Sequence, residues 1–425
     1  MILESEYKQR REILASKLSK NSVAVIYSAE YKIRSNDTEF PYRQNSNFYY
    51  LTGFKEDNSC LVIIKKRKKT KTILFIQKKD PKLELWNGAR LGKVEAKKRF
   101  LVDKICFIET FSKKIEELLE SSLNLYFDFK LDYSKIKIIK KYSKKIATYK
   151  NIALDIEMMR LIKSDSEIDL IEKAISITKK AHHLVMKSKK IDKNEYQLQA
   201  EIEYIFKKNG AYSDAYTSIV ASGNSANTLH YIDNDKEFKD DDLILIDAGC
   251  EYNYYASDIT RTIPVNGKFS DAQKELYNMV LDVQLKIINM IKPNIKRSDL
   301  QTKSEELLCK GMIDLGILKG ECKQLLKDKK HKKYYPHGIG HWMGIDVHDE
   351  NPYKYKNGDE IPLQKGMVLT IEPGIYCNKN DKTIPKKYRG IGIRIEDDIL
   401  INEDSYINLS KGIVKSVKEI EKLSL

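Results

Sequence analysis

Four acidic residues in the second half of the chain each lie in, or at the end of, a short apolar segment with strand character. That pattern limits the folds open to the chain more than any other feature. Asp247 follows Leu243-Ile-Leu-Ile246, and Asp258 opens Ser257-Asp-Ile-Thr-Arg-Thr-Ile263. Glu372 follows Val368-Leu-Thr-Ile371, and Glu396 lies in Gly390-Ile-Gly-Ile-Arg-Ile-Glu-Asp397. Side chains alternate along a strand, so Asp258 shares a face with Thr260 and Thr262, Glu372 with Thr370, and Glu396 with Gly392 and Arg394. The isoleucines between them turn the other way, into a core. Taken singly, each carboxylate reads most simply as a solvated strand end or a cap. Four projecting from the strands of one domain would repel one another unless a cation lay among them.

The histidines sharpen this reading. Three of the seven fall within His337-Gly-Ile-Gly-His-Trp-Met-Gly-Ile-Asp-Val-His348. His337 and His341 have the i, i+4 spacing of a helical zinc site, but the glutamate of H-E-x-x-H is absent. Gly338 and Gly340 would each cost a helix ~1 kcal/mol relative to alanine, so a glycine-rich loop is expected. His182 and His183 on a helix, and His331 in a lysine run, read as structural. One histidine with four carboxylates makes a hard, oxygen-rich donor set, suited to Mn²⁺, Mg²⁺, Fe²⁺ or Co²⁺ rather than to a thiolate zinc centre. Two such ions ~3.5–4 Å apart can share a hydroxide that is nucleophilic at neutral pH, which points to hydrolysis.

A chain of 425 residues exceeds one ordinary core, and two domains are expected. Residues 1–157 alternate strand-like segments (23–27, 48–51, 61–64, 73–76, 125–127) with helical patterns such as 113–121, an α/β domain. Ser164 and Glu167 then form a capping box ahead of a helix whose apolar face runs through Ile168, Ile171, Ile175, His182 and Val185. Residues 158–425 read as an α+β domain, with strands at 243–246, 257–265, 367–371 and 390–401 and helices at 195–207, 272–291 and 300–315.

A net charge of +15 raises the question of nucleic acid or anionic membranes. Lys, Ile and Asn are abundant throughout, as a compositional bias produces, and no aromatic residues interleave with the basic runs. Residues 65–71 are read as a solvated hairpin turn, and 327–333 likewise, so neither a nucleic-acid nor a membrane partner is expected. The first 18 residues lack the apolar stretch of a secretory signal, and no run of about 18 apolar residues occurs. Six scattered cysteines without a C-x-x-C pair fit reduced thiols. A cytoplasmic location is expected.

The blocks Asp247-Ala-Gly-Cys250, Ser257-Asp-Ile-Thr-Arg-Thr262, His337 to Asp349, Thr370-Ile-Glu-Pro-Gly-Ile-Tyr376 and Gly390 to Asp398 resemble, in order, those of the pita-bread metallopeptidases. This family includes methionine aminopeptidases, Xaa-Pro dipeptidases and aminopeptidase P. Asp37-Thr-Glu-Phe-Pro-Tyr-Arg-Gln-Asn-Ser-Asn-Phe-Tyr-Tyr-Leu-Thr-Gly-Phe54 and Trp86-Asn-Gly-Ala-Arg-Leu-Gly92 resemble the N-terminal domain of the aminopeptidase P branch, which methionine aminopeptidases lack. The resemblance implies an aminopeptidase-P-type α/β domain followed by an α+β pita-bread catalytic domain. It also implies release of the first residue from peptides with proline second.

By the same resemblance, Asp247 binds one metal, His341 and Glu372 the other, and Asp258 and Glu396 bridge both. Glu372 also handles protons, His230 and His348 steady the tetrahedral intermediate, and His337 and Arg394 line the proline end of the cleft. The implied cofactor is a pair of divalent ions, manganese first, with cobalt, iron or zinc as alternatives. A homo-oligomer, dimer or tetramer, is implied, with Trp86 reaching toward a neighbouring subunit. An Xaa-Pro dipeptidase is the nearest alternative, and a non-catalytic binding protein on the same fold the more distant one.

Overall fold

The computed structural model describes residues 1–67 and 69–424. The chain divides into two compact units, Met1–Arg160 and Leu161–Leu425.

In the first unit, helix α1 (Glu4–Lys17) leads into strand β1 (Ser22–Tyr27), followed by helix α2 (Ser46–Thr52) and strands β2 (Cys60–Lys66) and β3 (Lys69–Ile76). Strand β4 (Lys104–Phe107), helix α3 (Phe111–Glu120), strand β5 (Asn124–Phe127), helix α4 (Tyr133–Lys141) and strand β6 (Thr148–Asn151) come next, with shorter elements between and after them. The six strands form one mixed sheet in the order β4-β3-β2-β1-β5-β6. Val23, Val62, Phe75 and Leu125 on the sheet pack with Phe111, Ile115 and Leu119 of α3, all buried.

Residues 48–51, expected as a strand, are helical in α2. Asn45 caps that helix by accepting from Phe48 N at 2.9 Å, and Gly53 ends it in the left-handed region at φ 65°. A four-residue apolar run carries no periodicity that separates a buried helix turn from a strand. The lysine hairpin is tighter than expected, because Lys66 already pairs with Lys69. Lys65, Lys66, Lys69 and Lys71 are therefore strand residues, and Lys68 lies outside the described residues.

The second unit opens with helix α5 (Asp165–Lys187), whose capping box is formed: Ser164 Oγ accepts from Glu167 N, and the Glu167 carboxylate from Ser164 N. Helix α6 (Glu195–Lys208), strands β7 (Ile219–Ser222), β8 (Leu243–Asp247) and β9 (Thr260–Pro264), and helices α7 (Asp271–Met290) and α8 (Arg297–Asp314) follow. Then come β10 (Val368–Ile371), β11 (Gly374–Cys377), β12 (Ile391–Arg394), β13 (Asp397–Ile401) and β14 (Tyr406–Asn408). They pair as β7-β8-β9, β10-β13-β14 and β11-β12.

Two expected strands change. Residues 257–259 precede β9 rather than belong to it, and 390–401 is two strands in two sheets. The break at Ile395-Glu396 has a physical cause, since successive backbone donors go to different partners: Ile395 N to Pro373 O at 3.3 Å, and Glu396 N to Thr260 O at 3.1 Å. Residues 327–333 are not a hairpin turn either. They run from the end of a short helix into a 3-10 turn, with Lys332 paired to Glu305 and Lys333 to Asp381. Among the described residues no helix is long and apolar enough to cross a membrane.

Candidate metal centre

Asp247 ends β8 directly opposite Thr260 of β9. The chain then doubles back so tightly that a Cβ on Gly249 would lie 1.8 Å from the Ser257 carbonyl oxygen, so only glycine admits the crossing that delivers Asp258 beside Asp247. Asp258 is held from behind, its N–H donating to the Asp398 carboxylate at 3.2 Å. Glu396 sits at the break between β12 and β13, and its carboxylate accepts from Thr260 Oγ1 at 2.7 Å. Arg261, wholly buried, clamps this corner: it donates to the Thr260 and Glu396 carbonyls at 2.9 and 2.6 Å and pairs with Asp397 at 2.7 Å.

The histidine loop is irregular, as expected, and runs alongside β10. Thr370 N donates to His341 O at 2.9 Å, Glu372 N to Ile339 O at 2.8 Å, and His341 N to Thr370 Oγ1 at 3.1 Å. A Cβ on Gly340 would lie 1.8 Å from the Thr370 carbonyl, so the close approach that sets His341 against Glu372 depends on that glycine.

All nine residues singled out in the sequence, His230, Asp247, Asp258, His337, His341, His348, Glu372, Arg394 and Glu396, line one cavity of about 500 Å³. The ligand atoms of Asp247, Asp258 and Glu396 fall within 4.8 Å of one another, and so do those of His341, Glu372 and Glu396. The two sets share Glu396. Asp258, His341 and His348 form a third such group, the His341 and His348 rings meeting edge-on at 4.1 Å.

The electrostatics ask for a cation. Burial raises the pKa of Asp247, drives that of Glu396 well above the ordinary glutamate value and lifts Glu372 to about 7, with neighbouring carboxylates adding to the effect. His341 donates through Nδ1 to the Trp342 carbonyl at 3.0 Å, which turns Nε2 toward Asp258 Oδ2 at 3.3 Å and Glu372 Oε1 at 3.8 Å. A neutral ring would aim a lone pair at carboxylate oxygens, so a proton or a metal ion belongs there. Burial disfavours the proton, yet Asp258 and Glu372 outweigh it and raise His341 to about 9. The Tyr216 hydroxyl lies 2.5 Å from Oδ1 of both Asp247 and Asp258 and has one proton to give. These residues fit a pair of hard divalent ions.

One relay had no sequence signal beyond the block that contains it. Arg394 donates to Asp247 Oδ2 at 2.6 Å and to Tyr376 OH at 2.9 Å. Tyr376 therefore gives its own proton to His337 Nε2 at 2.9 Å, and His337 Nδ1–H faces the Gly338 carbonyl at 2.8 Å. His337 is thereby fixed as a neutral tautomer, and burial lowers its pKa to about 3. Sequence reasoning missed Tyr216, Tyr376 and Arg261. Tyr216 lies outside any regular element and carries no periodic signal, whereas Arg261 is visible only as a charge on the apolar face of Ile259 and Ile263.

Two groups of side chains that could each hold a divalent ion line one cavity of the second unit, as a metal-dependent hydrolase requires. The chain belongs to metallopeptidase family M24, whose model matches residues 169–403, and residues 7–126 match the aminopeptidase P N-terminal domain. It is 37% identical to the Xaa-Pro aminopeptidase of Haemophilus influenzae over 99% of this chain and 97% of that one. With the Escherichia coli Xaa-Pro aminopeptidase it shares 38% identity over 99% of this chain and 98% of the relative. Among solved structures, zinc-substituted E. coli aminopeptidase P in complex with product superposes with a TM-score of 0.96 at 37% identity, covering 99% and 98% of the two chains.

Proposed function

We propose that this metallopeptidase is an Xaa-Pro aminopeptidase, hydrolysing the bond between the first residue of a peptide and a proline in second place. The observation that carries the reading is the pair of ligand sets, Asp247–Asp258–Glu396 and His341–Glu372–Glu396, joined at Glu396 on the floor of the cavity. Full-length similarity to Xaa-Pro aminopeptidases in both units supports the substrate class.

Asp247, Asp258, His341, Glu372 and Glu396 would hold the divalent cations. When bound, the two ions supply a nucleophile at neutral pH and polarise the scissile carbonyl. Manganese is our first choice, because four carboxylates and one imidazole are a hard set. Glu372 lines the same cavity and would take a proton and return it to the departing amine. His230 and His348 line the same cavity and supply donors to the developing oxyanion. His337, locked by Tyr376, and Arg394 wall the proline end. A proline-preceding bond lacks an amide N–H, so shape and ring contacts must do the recognition there.

We place the enzyme in the cytoplasm, since its six cysteines are free and five are buried. A homo-oligomer is supported by Leu85 and Trp86, left 82% and 83% exposed. Light scattering on a sizing column tests it, a monomer at micromolar concentration counting against it.

The activity is tested with metal-free protein, added Mn²⁺, a pentapeptide with proline second and an Xaa-Pro dipeptide, followed by mass spectrometry. Release of the first residue from the pentapeptide, lost again with chelator, is expected. Cleavage of the dipeptide alone would make the enzyme a prolidase, and no cleavage under any divalent metal would leave a binding protein.

A further inference from the structure

A compositional bias spreads lysine over a whole chain, and here the charge is not so spread. Residues 1–160 carry 35 Lys and Arg against 20 Asp and Glu, whereas residues 161–425 carry 41 against 41. The entire net charge of +15 resides in the smaller unit, which contributes no candidate metal ligand among the described residues.

The sheet of that unit concentrates the charge further. Strands β1, β4, β5 and β6 all begin at one end of it, and the β2-β3 hairpin turns at the same end. The register fixes this: Ser22 pairs with Lys65 and with Asn124, and Asn124 with Thr148. Lys20 precedes β1, Lys66, Arg67 and Lys69 surround the hairpin turn, and Lys144 and Lys145 precede β6, all exposed. At ~4.8 Å per strand, β2 to β6 span roughly 15 Å. In their midst stands Leu123, 53% exposed, its backbone anchored by Leu123 N to Asn21 O at 2.8 Å and Ala147 N to Leu123 O at 2.9 Å. Of the acidic residues nearby, Asp103 is occupied by Thr72 N and Oγ1 at 2.6 and 2.8 Å, and Glu120 ends α3.

We propose that this end of the N-terminal unit docks on an anionic phospholipid bilayer. Five of the six basic residues are lysines, compact point charges without the forked donors that read phosphates in nucleic acid. Tyr149, the aromatic ring at this end of β6, packs against Lys140 and bonds to Ser143 Oγ, so it offers no free stacking platform. A fixed, exposed leucine inside a lysine rim gains nothing against a phosphate backbone, but it enters the headgroup layer of a membrane while the lysines pair with lipid phosphates.

The test is sedimentation of the full-length metal-loaded protein with vesicles of phosphatidylglycerol and phosphatidylcholine, against phosphatidylcholine alone. Binding to the anionic vesicles only, abolished by about 0.5 M salt, is expected. Together, Lys66→Glu, Lys69→Glu, Lys144→Glu and Lys145→Glu should weaken it at least about a hundredfold. Leu123→Ser should weaken it several-fold at unchanged charge. Both variants should keep wild-type cleavage of soluble peptide, which separates this proposal from the assignment of the activity. No binding to anionic vesicles, or undiminished binding by the four-lysine variant, would overturn it. So would tighter binding to polyuridylate that ignores Leu123→Ser, which would mark a nucleic-acid surface instead.

Discussion

Gly340→Ala tests whether the backbone approach described above is what builds the site. The added methyl would stand 1.8 Å from the Thr370 carbonyl oxygen. Carbon–oxygen contacts settle near ~3.3 Å, so the loop must retreat by roughly 1.5 Å. That retreat pulls on three bonds: Thr370 N to His341 O, His341 N to Thr370 Oγ1, and Glu372 N to Ile339 O. At ~1 kcal/mol each, the loss is about 2–3 kcal/mol, a fall in Tm of roughly 5–10 °C for a unit of this size. Displacing His341 by ~1 Å should cost on the order of a hundredfold in kcat/KM. The assay is proline-pentapeptide turnover together with metal content by elemental analysis, the second ion being the one expected to be lost. Gly338→Ala is the control, because its Cβ would meet only Arg297 Nη1 and Gln301 Oε1, at 3.7 Å. A Gly340→Ala enzyme within threefold of wild type and holding both ions would refute the reasoning.

Glu372→Ala and His341→Ala should each abolish turnover while leaving a folded protein with native circular dichroism, and retained activity in either would sink the site assignment. Arg261→Met removes a buried guanidinium and takes from the Glu396 carbonyl its Arg261 donor, while the Thr260 carbonyl keeps only Glu396 N. Asp397, buried but held well below the usual carboxylate range by Arg261 and Lys415, keeps only Lys415 and Asn408. A loss of about 3–5 kcal/mol is expected by denaturant titration, and less than ~1 would show the clamp to be dispensable. Metal uptake should also expel protons. Glu372 sits near 7 and His341 near 9 without metal, so at neutral pH His341 holds a proton and Glu372 a fraction of one, which ligation must displace. The sign follows: affinity rises with pH up to about 9, and the metal-free protein loses stability between about 4.5 and 9, first as Glu372 and then as His341 gives up its proton. Calorimetry in two buffers of different ionisation enthalpy measures the release, and a value of zero would contradict it.

The helix opening the second unit and the glycine-rich character of the histidine loop were legible in the sequence, because caps and breakers act over a few residues; of the four carboxylates expected on strands, only Asp247 lies within one, while Asp258 precedes β9, Glu372 follows β10 and Glu396 sits at the break between β12 and β13. The resemblance of whole blocks carried the likeness to a family from there. Where local pattern was ambiguous, tertiary contacts decided: 48–51 became a helix once Asn45 capped it, and 390–401 split because Ile395 and Glu396 donate to different partners, Pro373 and Thr260. The relay from Asp247 through Arg394 and Tyr376 to His337 joins residues up to 147 positions apart, and no local period announces it. Net charge shows the same division of labour. Its size and its division at the expected boundary can be counted on the sequence, but only the fold reveals that strand order gathers basic residues at one end of a sheet. Short-range physics writes the elements into the chain, whereas a site is made by distant segments competing for the same few backbone donors and acceptors.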